Sequence, residues 1–234
     1  MVINDMNNIA QHLQLVQDRI AKAASESSRP LGDIHLLAVS KTKPIADIEQ
    51  AYAAGQRQFG ENYVQEAIEK IQQLTHKYPD MRWHLIGPLQ SNKSRQVAEH
   101  FDWVQTVDRL KIAQRLSEQR PSHLPPLNIC LQVNVSGESS KSGLIPAEAL
   151  ALAASLADLP GLRLRGLMAI PEHTDDVARL ESQFLELKQL FDRMAEIYPD
   201  VDTLSMGMSE DLEMAVACGS TLVRVGTAIF GTRN

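Results

Sequence analysis

Eight short apolar runs, each parted from the next by an amphipathic stretch, confine this chain to folds that build a sheet from repeated strand–helix units. The runs are Ile34–Ser40, Gln58–Gly60, Trp83–Ile86, Trp103–Thr106, Ile129–Val135, Leu164–Ala169, Thr203–Met206 and Leu222–Val225. Between them Ile45–Ala54, Val64–Leu74, Lys93–Glu99, Lys111–Gln119, Ala147–Ala157, Leu180–Ile197 and Leu212–Ala217 read as helices. Such alternation gives parallel strands joined by right-handed crossovers, and eight of them close into an α/β fold of the (β/α)8 TIM barrel type. An open doubly wound sheet is the rival arrangement. The 234 residues suit one barrel and little else, and no linker rich in Gly, Pro or Ser divides them, so residues 1–234 read as one domain. An extra helix over residues 3–25, marked by Ile9, Leu13, Val16 and Ile20 with Asn4 or Asp5 as N-cap, should cover the outside or bottom of the barrel.

A net charge of −6 argues against a nucleic-acid partner, which needs clustered Lys and Arg. The seven His are scattered without a ligand spacing, so no metal is expected, and Cys130 and Cys218 match no redox pair. They read as buried thiols of a reducing compartment. No stretch approaches the roughly 20 apolar residues that span a bilayer, and the N-terminus lacks the basic and apolar blocks of a signal peptide. A cytoplasmic protein is the expectation.

Candidate chemistry gathers at the carboxyl ends of the strands, where barrels build their sites. Lys41 follows the first run and precedes Pro44, which stops the strand. Sharing a face with Leu37 and Val39, it is partly desolvated, and Lys43 nearby adds like charge; both favour the neutral amine that attacks a carbonyl. A lone lysine there is otherwise a solvated strand end. Ser205–Asp211, running from the seventh strand into a helix, offers Gly207 for a tight approach and Ser209 as a cap. Gly226 and Thr227 after the eighth strand add a close N–H and a hydroxyl. Loops in those two positions are the frequent phosphate cradle of this fold, although Glu210 and Asp211 oppose an anion. Arg224 lies within an apolar strand and needs a carboxylate, a carbonyl or a ligand. Sites for pyridoxal 5′-phosphate (PLP) commonly place an Asp or Arg beside the pyridine nitrogen. Asn62 is placed to bond a ring hydroxyl and His84 to stack on the ring, the alternative for His84 being a polar residue of the barrel core. In the fifth strand Gln132 and Asn134 should point inward, Asn134 towards either the ligand face or a neighbouring strand. Lys141 falls in the loop that follows.

The segments AVSKTKP (38–44), FGENYVQE (59–66), WHLIGPLQSNK (83–93), KSGL (141–144), RGLMAI (165–170), LSMGMSEDLEMAV (204–216) and VRVGTAIFG (223–231) run in order over nearly the whole chain. Together they resemble the PLP homeostasis (YggS-like) family. The resemblance implies an alanine-racemase-like barrel with PLP held as a Schiff base on Lys41. It also implies phosphate contacts around Ser209, Gly226 and Thr227, and Arg224 at the pyridine nitrogen. The sequence ends at Asn234, just past the eighth strand, where a racemase of this type uses a second domain. A monomeric cofactor carrier, exchanging PLP with free amino acids or apo-enzymes in vitamin B6 homeostasis, is therefore expected over a dedicated enzyme. The alternative is a weak amino-acid racemase with Tyr63 or His84 as second proton donor.

Overall fold

A computed structural model describes residues 8–138, 141–156, 158–172 and 174–231. Its strands are β1 (His35–Val39), β2 (Gln58–Glu61), β3 (Arg82–Leu85), β4 (Trp103–Val107), β5 (Leu127–Gln132), β6 (Leu162–Met168), β7 (Thr203–Ser205) and β8 (Leu222–Val225). They pair in sequence order, all parallel, and β8 closes on β1 with Leu37 beside Arg224 and Ala38 beside Val225. The result is the expected closed barrel. The helices are α1 (Asn8–Glu26), α2 (Ile45–Ala53), α3 (Val64–Leu74), α4 (Ser94–His100), α5 (Leu110–Gln119), α6 (Pro146–Ser155), α7 (Val177–Ile197), α8 (Leu212–Ala217) and α9 (Thr227–Phe230).

Strand alternation sorts the side chains. Ala38, Phe59, Leu85, Val104, Ile129, Leu167, Leu204 and Val223 face the helices and form one continuous core with them. Leu37, Ile86 and Leu222, backed by Val39, make a small separate apolar cluster inside the barrel. The apolar stripe of α1, with Leu13, Val16, Ile20 and Ala23 all buried, packs on α8, α9 and α2. It lies along the outside, as the spacing predicts; the proposed caps Asn4 and Asp5 lie outside the described residues.

Several boundaries differ from the sequence reading. The strand expected over Ile129–Val135 starts directly after Pro126 and stops at Gln132. Beyond it the Val133 N–H still bonds the Met168 carbonyl of β6, but Val133 otherwise makes an isolated bridge to Leu144, because the chain turns back on itself. The Asn134 side chain bonds within its own loop rather than to a neighbouring strand. Its amide donates to the Glu138 carbonyl at 2.7 Å, and its oxygen accepts from the Ser136 N–H and hydroxyl, tying its own loop. Beside β5, the register of β6 shifts at Gly166. With φ at +150° and an added Cβ falling 1.8 Å from the Thr203 carbonyl oxygen, that bulge admits glycine alone. The short α9 has too few residues to show helical spacing and was not expected. The helix predicted to reach Ala157 ends at Ser155, and Ala157 itself lies outside the described residues.

Candidate functional site

Lys41 leaves the carboxyl end of β1 in a turn whose next residue, Thr42, takes the left-handed conformation with φ at +61°. A β-branched residue adopts it only where neighbours hold it. Here the Thr42 N–H donates to Glu66 Oε1 at 2.6 Å, and Lys70 Nζ donates to the same oxygen at 2.6 Å. Lys70 also donates to the Ser40 carbonyl and to Glu61 Oε1, each at 2.8 Å, while the Ser40 hydroxyl donates to Glu61 at 2.6 Å. Glu61 is fully buried, and burial pushes its carboxyl up despite Lys70 and Ser40. This cluster locks the residues just before Lys41 and just before Asn62. The sequence reading missed it; the signal lay in the i, i+4 spacing of Glu66 and Lys70 on a helix face otherwise buried. Lys43 donates to the carbonyls of Phe230 and Gly231 at the end of α9, at 3.0 and 3.1 Å, so it ties β1's exit to the last helix.

On the neighbouring strand, Gly226 passes so close to β1 that a Cβ there would sit 3.2 Å from both the Val39 Cβ and its carbonyl oxygen. Gly226 and Thr227 therefore lie at the same end as Lys41. They open α9, whose first N–H groups lack helical acceptors. Ser209 lies in the loop between β7 and α8 at that same end, partly buried, and its carbonyl accepts from Arg19 of α1. In this loop Asp211 turns inward to accept the Met208 N–H, and its carboxyl is pushed up by burial. The acid expected to repel an anion is thus spent on shaping the turn.

Arg224 is 4% exposed inside the barrel. Two neutral oxygens hold it: the Ser205 hydroxyl at 2.7 Å and the Ala169 carbonyl at 2.8 Å. Burial lowers its pKa to about 10, so it remains cationic at neutral pH. The Ser205 hydroxyl donates to Gln105 Oε1 at 2.6 Å, and Gln105 Nε2 meets His84 Nδ1 at 2.9 Å. Because β4 and β7 are not neighbours, this contact crosses the barrel interior. His84 is fully buried, stacks on Trp103 with centroids 5.0 Å apart, and reaches Arg224 only through Gln105 and Ser205. It lines a cavity at the amino ends of the strands. The structure thus gathers Lys41, Asn62, Ser209, Arg224, Gly226 and Thr227 at one end, with His84 set apart, deeper in the interior.

Three features suit this end to a phosphorylated pyridine aldehyde. Asn62 Oδ1 is buried without a hydrogen-bond partner and so is open to a hydroxyl donor. Gly226 lets the backbone that opens α9 lie tight against the end of β1, beside Lys41. The Arg224 guanidinium is fixed by neutral acceptors, which leaves its charge uncancelled by a bonded carboxylate. Lys141 stands off in the loop after β5, paired with Glu138 at 2.9 Å.

A closed parallel barrel with a lysine ending β1 and small-residue loops after β7 and β8 defines the alanine-racemase class of barrel, and the alanine racemase N-terminal domain model matches residues 8–234. The chain is 56% identical over 228 residues to a pyridoxal phosphate homeostasis protein of Pasteurella multocida, covering 97% of this chain and 98% of that one. An unknown protein from Bifidobacterium adolescentis superposes with a TM-score of 0.92 at 37% identity, over 98% of each chain. PipY of Synechococcus elongatus, with PLP bound, superposes with a TM-score of 0.79 at 42% identity, covering 91% of this chain and all of that one. The chain belongs to the pyridoxal phosphate homeostasis protein family, within the alanine racemase N-terminal domain group.

Proposed function

We propose that the chain is a single PLP-binding unit that holds the cofactor covalently on Lys41 and serves vitamin B6 and amino-acid homeostasis rather than one dedicated reaction. The observation that carries this reading is the placing of Lys41 and the Gly226–Thr227 turn on adjoining strand ends, with the charge of Arg224 fixed below them. The names of its relatives and the PLP seen in PipY support it. When bound, PLP supplies an aldehyde for amines and a ring that draws electrons from them. Lys41 supplies the attaching amine, Asn62 Oδ1 accepts from the ring hydroxyl, and Ser209, Gly226 and Thr227 hold the phosphate. Arg224 faces the ring nitrogen, where a fixed cation disfavours its protonation and makes the ring a weaker electron sink.

This weakening bears on racemisation, as does the shortage of a second acid. His84 is pushed down to about 3 by burial and bonded to Gln105, so it is held in the interior and is not the imidazolium acid that could give a proton at neutral pH. Tyr63 is half exposed on the surface. Exchange with free amino acids and transfer to apo-enzymes, by a cytoplasmic monomer, is the role this leaves. Lys41→Ala is expected to remove the visible absorbance of the loaded protein while far-ultraviolet circular dichroism stays as in the wild type. The same band persisting would assign the attachment to another lysine. Incubation with L-alanine in heavy water is expected to leave the Cα hydrogen in place; rapid deuterium entry or D-alanine would make the protein a racemase.

A further inference from the structure

A buried guanidinium is ordinarily paired with a carboxylate, because an uncompensated charge in the interior is costly. Arg224 is buried, and among the described residues only neutral oxygens bond it. Of the titratable groups whose charge reaches it, the Cys130 thiol is pushed up to about 12 by burial and stays neutral, while Asp211 is bonded to the Met208 N–H instead. From the opposite wall of the barrel, Gln105 of β4 holds the oxygen that holds Arg224. Gln105 is fully buried and bonds Ser205 and His84, neither of them charged at neutral pH.

Proton counting fixes how that amide lies. Arg224 can only donate, so the Ser205 oxygen accepts from it and the hydroxyl hydrogen must go elsewhere. Its other partner among the described residues is Gln105, so Oε1 faces Ser205 and Nε2 donates to His84 Nδ1. Arg224 is thus offered a neutral oxygen whose hydrogen is pinned on the far side. Glu has the shape of Gln and would still accept from Ser205, while His84 would turn its hydrogen to Nδ1 to meet it. Packing alone does not choose between the two. What the amide excludes is a negative charge two hydrogen bonds from the guanidinium.

We propose that Gln105 is a positioning residue for the PLP ring: it anchors Ser205 against Arg224 and, by carrying no charge, leaves the field of the guanidinium to act on the ring nitrogen. This role rests on the PLP reading above and deepens it, because it names what sets the reaction specificity of the bound ring. A full cation beside the nitrogen keeps it unprotonated and the ring a weak electron sink. A carboxylate joined to that cation through Ser205 offsets the field and lets the nitrogen take up a proton. The Ser205 hydroxyl, the turned His84 ring and Arg224 itself would hold such a carboxylate ionised against burial.

The test loads the purified protein with PLP carrying nitrogen-15 in its ring and reads that nucleus by magnetic resonance at neutral pH. The wild type is expected to give the signal of an unprotonated pyridine, and Gln105→Glu a signal moved towards the protonated one. Gln105→Met, which removes the anchor without adding charge, is expected to keep the unprotonated signal and to release PLP about threefold to tenfold faster on dialysis, the worth of one ordinary hydrogen bond. Deuterium entry at Cα of L-alanine in heavy water should rise in Gln105→Glu alone. The role is overturned when loaded Gln105→Glu gives the wild-type signal, or when Gln105→Met moves the nitrogen as far, which would make the response one of packing. Should Gln105→Glu not fold, Gln105→Met decides, and release at the wild-type rate overturns the anchoring. A wild type loaded with PLP whose ring nitrogen is protonated also overturns it and leaves the binding reading standing, whereas failure to load PLP at all overturns the proposed function itself.

Discussion

His84 carries no charge at neutral pH, and this sets how the barrel responds to acid. Burial, with Arg165 nearby, takes its pKa from the ordinary 6.5 down to about 3. The unfolded chain therefore takes up a proton that the native state refuses. Its effect is absent above 6.5 and removes stability progressively as pH falls from there towards 3. One unit below the unfolded value the loss is about 1.4 kcal/mol. Urea unfolding one unit above and one unit below 6.5 should show this drop, shrunk by about that amount in His84→Phe, which keeps the stack on Trp103. The sequence made His84 legible as an inward-facing residue because strands alternate. It did not reveal the depth, which depends on the register of β3 against β4, where His84 sits beside Trp103. Arg224 was legible as a charge needing oxygens, yet Ser205 and Gln105, 100 residues apart, were not. Lys41, Gly226 and Thr227 could be placed because each lies within two residues of a strand whose end Pro or Gly marks.

At the scale of elements, α3 serves β1 and β2 more than its own packing. Lys70 gathers the Ser40 carbonyl, Glu61 and Glu66, and Glu66 in turn holds the Thr42 turn. Lys70→Met is expected to cost about 3–5 kcal/mol, because it strands a buried carboxylate. Adding Glu61→Gln should recover much of the loss. Chemical denaturation of the two single variants and the double variant checks this, and additive losses would rule out the coupling. The loosened turn should also speed cofactor release. None of this could be read from propensity, since the partners sit on three elements and only Glu66 and Lys70 share a helix.

For the whole molecule, the alternation of eight runs sufficed to give the closed barrel, because each strand–helix unit admits one handedness and 234 residues admit one barrel. Strand ends were less legible. At β5 the chain's return through Val133 and Asn134 is made by loop hydrogen bonds that leave no hydropathy trace. The placing of α1 followed from its stripe, and its targets α8 and α9 follow the two turns proposed to hold the phosphate. Leu13, 1% exposed, is expected to cost about 2–5 kcal/mol on change to Ala. Dialysis should then show quicker loss of PLP, since His12 of the same helix bonds the Ile229 carbonyl in α9 at 3.1 Å.

The seam between β1 and β8 has a consequence for biosynthesis. The Lys41 amine emerges from the ribosome well before the Gly226–Thr227 turn beside it, which is translated 185 residues later. A nascent polypeptide therefore displays that lysine long before the turn proposed to hold a ligand's other end exists. Closing the seam waits until β8 has been made and α1 has found α9.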